Sequence, residues 1–324
     1  MNILNSNKKK IFINGSGGTT GLKIVSRLEN RDDLELIILS DDKRKDLNEI
    51  KKAINNSDVT ILCLPDDAAK EAILLCENEN VKILDASTAH RTNYNWAYGF
   101  PELSENHQNF IKNSKRVSVP GCHASGFISI VYPLVSLGIT DEQYPFVCHS
   151  ITGYSGGGKE MISKYTSANR PEYYKSPRQY ALNQIHKHQK EMQIRTAIKF
   201  APIINPIVGD FYNGMCVSIP LYKRFLNDKY KTITPEELSN IFKDFYKDSI
   251  FIKIDEKDED LENGFLNPQI NNETNKMTIN IFGDEEKLLI TSRLDNLGKG
   301  SSGACVQCLN IMLGLPQDYN TNFI

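Results

Sequence analysis

The segment "KIFINGSGGTTGLKIVSRLEN", residues 10 to 30, constrains this chain more than any other: a short apolar strand enters a glycine-rich turn and leaves it as an amphipathic helix. Leu22, Val25 and Leu28 recur three residues apart and predict one buried helical face. Gly15, Gly18 and Gly21 follow a G-x-x-G-x-x-G spacing, a variant of the dinucleotide-binding fingerprint. In that pattern glycine lets the chain turn sharply, lets backbone N–H groups approach a pyrophosphate and lets helix pack closely on strand. Many glycine turns bind nothing; the position of this one between strand and helix makes it a candidate nucleotide site, with Thr19 and Thr20 as further members.

The next apolar run, "LELIILS", predicts a strand ending near Ser40, where the ribose of a bound adenosine would lie. A protein selecting NAD would place an acid at this strand end. Here Ser40 is followed by "DDKRK", and Arg44 with its basic neighbours suits a 2′-phosphate, so the expected cofactor is NADP(H). Asp41 and Asp42 oppose that reading, and a solvated charged loop is the plain alternative. Two more strand–helix alternations follow. "SDVTILCLPDDAAKEAILLC" predicts a buried strand to Leu64 and a helix opened by Pro65, Asp66 and Asp67, acids at the positive end of its dipole. "VKILDASTAHR" predicts a strand whose carboxyl end carries Asp85, Ser87, Thr88, His90 and Arg91. Ligands gather outside the carboxyl ends of strands in open parallel sheets, so Pro65 and Ser87 join the expected cofactor site. His90 equally suits a loop cap.

The alternation defines an α/β Rossmann domain, and 324 residues leave room for a second domain. A formal net charge of -2 gives no broad footprint for nucleic acid. The seven cysteines form no even framework of the secreted kind and point to a reducing compartment. Cys305 and Cys308 make a lone C-x-x-C within a helical apolar run, so they are expected to face a core, and no metal site is expected. No apolar stretch reaches the length of a membrane span, and "MNILNSNKKK" lacks a secretory apolar core; the expected location is the cytoplasm.

"RVSVPGCHASGFISIVYPLVSLG" predicts a strand ending at Pro120, a turn holding Gly121 and Cys122, and a helix from near Ala124 with Phe127, Ile130, Val131 and Leu134 on one face. A thiol at a helix N-terminus meets the positive dipole end and free N–H groups, which favour the thiolate and can hold an oxyanion. An inert cysteine filling a tight corner is the alternative. "NQIHKHQKEM" supplies His186, His188 and Glu191. On a helix starting there, His188 and Glu191 share a face, and the carboxylate can orient the imidazole as acid and base. His186 points elsewhere, towards a substrate anion, though which imidazole is the acid and base stays open. In "TGYSGGGKEM" three glycines precede Lys159, so that backbone N–H groups and an ammonium can meet an anion; a flexible hairpin is the alternative.

Eight segments, "GSGGTTG", "LCLPDDAA", "LDASTAHR", "YGFPEL", "VPGCHASG", "GYSGGGK", "HKHQKEM" and "LDNLGKGSSGA", spread in order over almost the whole chain. Together they resemble the N-acetyl-gamma-glutamyl-phosphate reductase family in its shorter variety. The resemblance implies an NADP-binding Rossmann domain plus an α+β substrate domain of the glyceraldehyde-3-phosphate dehydrogenase-like type. It also implies Cys122 as catalytic thiol, the H-x-H segment as source of acid and base, and a returning helix that places Asn296 and Gly300 near the nicotinamide. The implied reaction takes an acyl phosphate to an aldehyde through a thioester, with Arg91, Lys159 and His186 as candidates for the substrate's phosphate or carboxylate. Three positions depart from the pattern: Lys190 stands where proline is usual, His123 where tyrosine is frequent, and Asp210 where asparagine is expected. Aspartate-semialdehyde dehydrogenase, which shares fold and thiol, and a non-catalytic NADP-binding sensor are the rivals.

The expected domains are 1–120 with 300–324 for the nucleotide and 121–299 for substrate and oligomerisation. "DEKDEDLENG", 255 to 264, reads as a solvated loop. The alternation in "MCVSIPL" suits an antiparallel sheet with one face left for a second subunit, so a homodimer or homotetramer is expected.

Overall fold

Strands apolar on both faces need cover on both sides, which in a parallel sheet comes from the helices that connect them. In the computed structural model, which describes residues 8–255, 261 and 264–319, the chain follows that rule from its first strand. β1 (Lys9–Asn14), α1 (Thr19–Leu28), β2 (Leu34–Ile37), α2 (Leu47–Asn55), β3 (Val59–Leu62), α3 (Asp66–Leu74) and β4 (Lys82–Asp85) alternate, followed by β5 (Ala97–Tyr98), α4 (Glu105–Asn113) and β6 (Arg116–Ser118). The six strands are parallel in the order β2-β1-β3-β4-β6-β5. The chain leaves β1 for β2 on one side and crosses to β3 on the other, so a crevice opens outside the carboxyl ends of β1 and β3. Phe12, Ile54, Leu62, Ala69, Ile83 and Trp96 lie in the core beneath it.

The buried face of α1 is Gly21, Ile24 and Leu28, whereas Leu22 is 52% exposed. The expected face of Leu22, Val25 and Leu28 is thus rotated. A Cβ on Gly21 would lie 2.3 Å from the Gly15 carbonyl oxygen, so position 21 must face the turn, and this sets the rotation of the whole helix. β2 stops at Ile37, short of the expected Ser40, because it is an edge strand paired only along β1.

Beyond Pro120 the chain builds a second compact unit, Gly121–Gly300. Its elements are α5 (Cys122–Ser136), β7 (Val147–Gly153), α6 (Gly158–Thr166), β8 (Arg178–Gln179), α7 (Gln189–Arg195), β9 (Ile203–Gly209), β10 (Met215–Tyr222), α8 (Pro235–Phe245), β11 (Ile252–Ile254), β12 (Met277–Gly283) and β13 (Lys287–Leu294). The seven strands form one mixed sheet, β11-β12-β13-β10-β7-β9-β8. Helices α5 and α8 pack against it, and Phe127, Ile130, Val131 and Leu134 of α5 are fully buried. On the opposite face Ile151, Ile203, Tyr222 and Leu289 remain between 38% and 55% exposed. In β10 the expected alternation holds only from Val217 onward; Met215, Cys216 and Val217 are all buried.

From Ser301 the chain belongs to the first unit again, and α9 (Gly303–Met312) is buried on every side there. Cys305 and Cys308 lie in that core, the Cys308 thiol donating to the Gly99 carbonyl, and burial pushes the Cys305 thiol up. Among the described residues no helix is long and apolar enough to cross a membrane, and no group of His, Cys, Asp and Glu is arranged to hold a metal ion. Most of the charged stretch at 255 to 264 lies outside the described residues, as do residues 1–7.

Candidate active site

In the first unit the glycine turn borders a cleft of about 270 Å³ lined by residues 12 to 18, Leu39, Arg44, Lys45 and Cys63 to Pro65. Gly15 has φ +88°, and a Cβ there would meet the Cys63 carbonyl oxygen at 2.3 Å. Gly18 donates its N–H to the Gly15 carbonyl and precedes α1, so the first-turn N–H groups of Thr19, Thr20 and Gly21 have no partner within the helix. The cradle is thus closed to side chains yet rich in backbone donors, which fits a nucleotide pyrophosphate.

Of the residues expected to hold a cofactor, Gly15, Gly18, Arg44 and Pro65 line this cleft. Thr20 Oγ1 shares a hydrogen bond with Ser301 Oγ at 3.2 Å. Ser40 hydrogen-bonds the Asp42 carboxylate and thereby lowers its pKa, while Arg44 Nε pairs with Asp41 at 3.2 Å. Ser87 is occupied with structure: its hydroxyl donates to Asp85 Oδ2 at 2.8 Å, and His90 Nδ1 meets the same oxygen at 2.7 Å while its ring stacks on Trp96. Arg91 is buried, with Nε donating to the Val119 carbonyl at 2.8 Å and Nη2 to that of Ala86 at 3.0 Å. These bonds tie the loop after β4 to the end of β6. Lys45, one of the basic neighbours of Arg44, also lines the cleft, as do Ser16 and Gly17, which sequence reasoning passed over although they lie inside the glycine motif itself.

In the second unit Cys122 is the first residue of α5, two residues earlier than expected, and is partly exposed. Gly121, at the N-cap, donates its N–H to Glu191 Oε1 at 2.9 Å, and Glu191 is buried in the first turn of α7. A Cβ on Gly300 would lie 2.7 Å from that of Cys122, so glycine there keeps the thiol in place. Asn296 is held at both ends: Nδ2 donates to Ser155 Oγ at 2.9 Å, and Oδ1 accepts from Gly214 N–H at 2.9 Å.

Three imidazoles stand beside the thiol turn, with ring centroids 5.2 Å apart for His123 and His186, 5.6 Å for His123 and His188, and 4.8 Å for His186 and His188. His188 caps α7, which begins at Gln189 with Lys190 in its first turn. The His188 backbone N–H donates to His186 Nδ1 at 3.2 Å. That contact leaves the proton of a neutral His186 on Nε2. Burial, with Lys187 nearby, lowers the His186 pKa to about 4, so the ring is neutral at pH 7. His123 is buried more deeply and lowered to about 3 by burial, then by His186 and Lys187. Its Nδ1 contacts Ser150 Oγ at 2.6 Å and its Nε2 contacts Tyr180 Oη at 2.8 Å. Ser150 and Tyr180 carry no motif that sequence reasoning could have used.

The three glycines 156 to 158 do not form a hairpin; they close a short 3₁₀ turn, Tyr154–Gly157, and start α6, with Lys159 exposed in its first turn. Asp210 forms a paired contact with Arg170, Nη1 at 2.6 Å and Nη2 at 2.7 Å.

The glycine-cradled parallel unit and the mixed-sheet unit with a thiol at a helix start are matched in turn by two models of the semialdehyde dehydrogenases. The model for "Semialdehyde dehydrogenase, NAD binding domain" matches residues 10–111, and that for "Semialdehyde dehydrogenase, dimerisation domain" matches residues 122–296. Aspartate semialdehyde dehydrogenase II from Vibrio cholerae superposes with TM-score 0.69 over 97% of this chain and 100% of its own, at 13% identity. The Candida albicans enzyme solved with NADP gives 0.63 over 95% and 99%, at 12% identity. At that identity the likeness is one of fold. Sequence separates the branches. N-acetyl-gamma-glutamyl-phosphate reductase 2 of a Nostoc species is 44% identical over 96% of this chain and 99% of its own. Its namesake in Pseudomonas putida is 38% identical over 95% and 97%. The chain belongs to the N-acetyl-gamma-glutamyl-phosphate reductase family, within the semialdehyde dehydrogenases.

Proposed function

We propose that the protein reduces N-acetyl-gamma-glutamyl phosphate with NADPH to N-acetylglutamate 5-semialdehyde and phosphate, a step of arginine biosynthesis, through a thioester on Cys122. The observation that carries this reading is a partly exposed thiol at the first turn of α5, beside a carboxylate-anchored turn and three imidazoles. His123 and His186, lowered to about 3 and about 4, are too weakly basic to take a proton at pH 7, which leaves His188 as acid and base. His188 takes the thiol proton, the sulfur adds to the acyl carbon to give a tetrahedral state, and its collapse breaks the C–O bond to phosphate and leaves the thioester. When bound, NADPH supplies the hydride that reduces this thioester, with one proton consumed over the whole reaction. His188 steadies the resulting alkoxide; its collapse breaks the C–S bond, releases the aldehyde and restores the thiolate. Glu191 acts as a positioning residue, holding Gly121 and so the turn that presents the sulfur.

NADPH is held by the glycine cradle, Gly15, Gly18, Thr19, Thr20 and Gly21, with Pro65 on the cleft wall and Ser40 and Arg44 at the 2′-phosphate. Lys159 supplies charge, and His186 Nε2–H a neutral donor, for the substrate's anionic groups. The open face of the mixed sheet, with Ile151, Ile203, Tyr222 and Leu289 partly exposed, joins copies in a homodimer or homotetramer working in the cytoplasm.

The test is NADPH formation in the reverse direction from N-acetylglutamate semialdehyde, NADP and phosphate, compared with aspartate semialdehyde, and intact-mass detection of an acyl adduct. Faster turnover of the aspartate compound refutes the substrate assignment. Undiminished turnover by Cys122→Ser refutes the thioester.

A further inference from the structure

The thioester reading leaves unexplained a chain of three hydrogen-bonded side chains, buried Ser150, buried His123 and partly exposed Tyr180, whose middle member follows Cys122 in the sequence. His123 follows Cys122 in the first turn of α5 and is 3% exposed. Its two ring nitrogens face two hydroxyls, Ser150 Oγ at 2.6 Å and Tyr180 Oη at 2.8 Å. A neutral imidazole has one N–H, so it donates at one end and accepts at the other.

Two wirings satisfy that rule. If Tyr180 donates to Nε2, then Nδ1–H donates to Ser150, and the Ser150 proton must find a different acceptor. Ser150 is fully buried, and His123 is its hydrogen-bond partner among the described residues. A buried hydroxyl proton without an acceptor costs about 1–3 kcal/mol. In the other wiring Ser150 donates to Nδ1, and Nε2–H donates to the phenolic oxygen. The Tyr180 proton is then turned away from the imidazole and available to a ligand. The second wiring wins because it leaves no buried donor unmet.

Burial first, then the charges that Cys122 and Cys148 can carry, raise the pKa of Tyr180, so its hydroxyl keeps its proton. The phenol is held next to the thiol turn through the imidazole of the residue that follows Cys122.

We propose that Tyr180 donates a hydrogen bond to the oxygen of the acyl group reacting on Cys122, with His123 and Ser150 as positioning residues that aim its proton. The inference rests on the thioester reading and adds to His188 a second, neutral donor at the reacting oxygen. Tyr180 keeps its proton throughout: the bond strengthens as the carbonyl oxygen gains charge in each tetrahedral state, which is where a fixed donor accelerates acyl transfer. The arrangement also gives His123 a role at a position where the family resemblance leads one to expect tyrosine.

The test compares Tyr180→Phe, Ser150→Ala, their double variant and Cys122→Ser in the full-length protein, with steady-state kinetics and the rate of Cys122 alkylation by iodoacetamide. Alkylation forms no oxyanion and so reports the thiol alone. Tyr180→Phe is expected to lower kcat by roughly 10²–10³-fold, as for loss of one oxyanion donor, with both KM values and the alkylation rate within about threefold. Ser150→Ala is expected to lower kcat by about tenfold alone and not at all in the Tyr180→Phe background. A Tyr180→Phe kcat near wild type, with Cys122→Ser inactive, overturns the donor while leaving the thioester reading intact. An active Cys122→Ser instead overturns the reading beneath it. Loss of alkylation in Tyr180→Phe, or an equal Ser150→Ala loss in both backgrounds, shows that these residues only hold the fold, and also overturns the proposal.

Discussion

The hydrogen bond and the packing that shape the nucleotide turn of the first unit come from near neighbours, Gly18 N–H to the Gly15 carbonyl and Gly21 on the same oxygen, with the backbone of Cys63 as its distant wall. The thiol turn of the second unit is held by partners 27, 57 and 70 residues away: Ser150 and Tyr180 on His123, and Glu191 on Gly121. A turn closed locally depends on backbone space and tolerates changes elsewhere. A turn held from a distance inherits every error in the placement of β7, α7 and the segment after β8. The difference teaches where each unit is fragile.

The largest expected effect comes from Gly21→Ala, which puts a Cβ 2.3 Å from the Gly15 oxygen. It should destabilise the first unit by about 3 kcal/mol and weaken NADPH binding, while iodoacetamide still alkylates Cys122 at the wild-type rate. Loss of thiol reactivity as well would break the comparison by making the two turns interdependent. Next is Glu191→Ala, which removes the acceptor of the Gly121 N–H. Leaving that donor unmet costs about 2 kcal/mol, so kcat should fall roughly 10–30-fold with NADPH affinity retained. Glu191→Gln, which keeps an acceptor oxygen, should recover most of the loss, and fluorescence titration of NADPH separates the two effects.

Acid should weaken the thiol unit first. His123 and His186 have pKa values of about 3 and about 4, below the ordinary 6.5, so the unfolded chain binds more protons as pH falls. Their contribution to stability is complete above 6.5 and is lost on descending from 6.5 towards 4 and 3. The loss is roughly 1 kcal/mol per histidine over the first pH unit below 6.5. Thermal midpoints of His123→Asn should show a shallower decline than wild type over that range; an identical decline would deny the imidazole this role. The smallest effect is Asp210→Asn, which removes a partly exposed ion pair with Arg170. Stability should change by less than about 1 kcal/mol, and turnover not at all, by melting and assay.

Much of the nucleotide turn was legible because its determinants act between adjacent residues: the glycine spacing, the strand before and the helix after. Even there, the identity of the buried face of α1 was not legible. Leu22, Val25 and Leu28 and the observed Gly21, Ile24 and Leu28 have nearly the same period, and only the Gly21–Gly15 contact decides between them. Cys122 was legible as a thiol at a helix start, and Glu191 as an acid beside the histidines, but not that this acid would hold the Gly121 N–H. Ser150 and Tyr180 were not legible at all, since a lone serine in a strand and a lone tyrosine after a short strand are common and unmarked.

By itself the sequence determined the two kinds of unit, the place of the glycine cradle and the residue that presents sulfur at a helix start. Backbone steric limits and helix termini act over a few bonds and leave a spacing that can be read. Only the tertiary structure decided which side chains face that sulfur. The pairing of β7 with β9 and β10 and the packing of α7 beside α5 choose those neighbours. A contact between residues dozens of positions apart depends on how whole elements pack, and leaves no periodic trace in the chain.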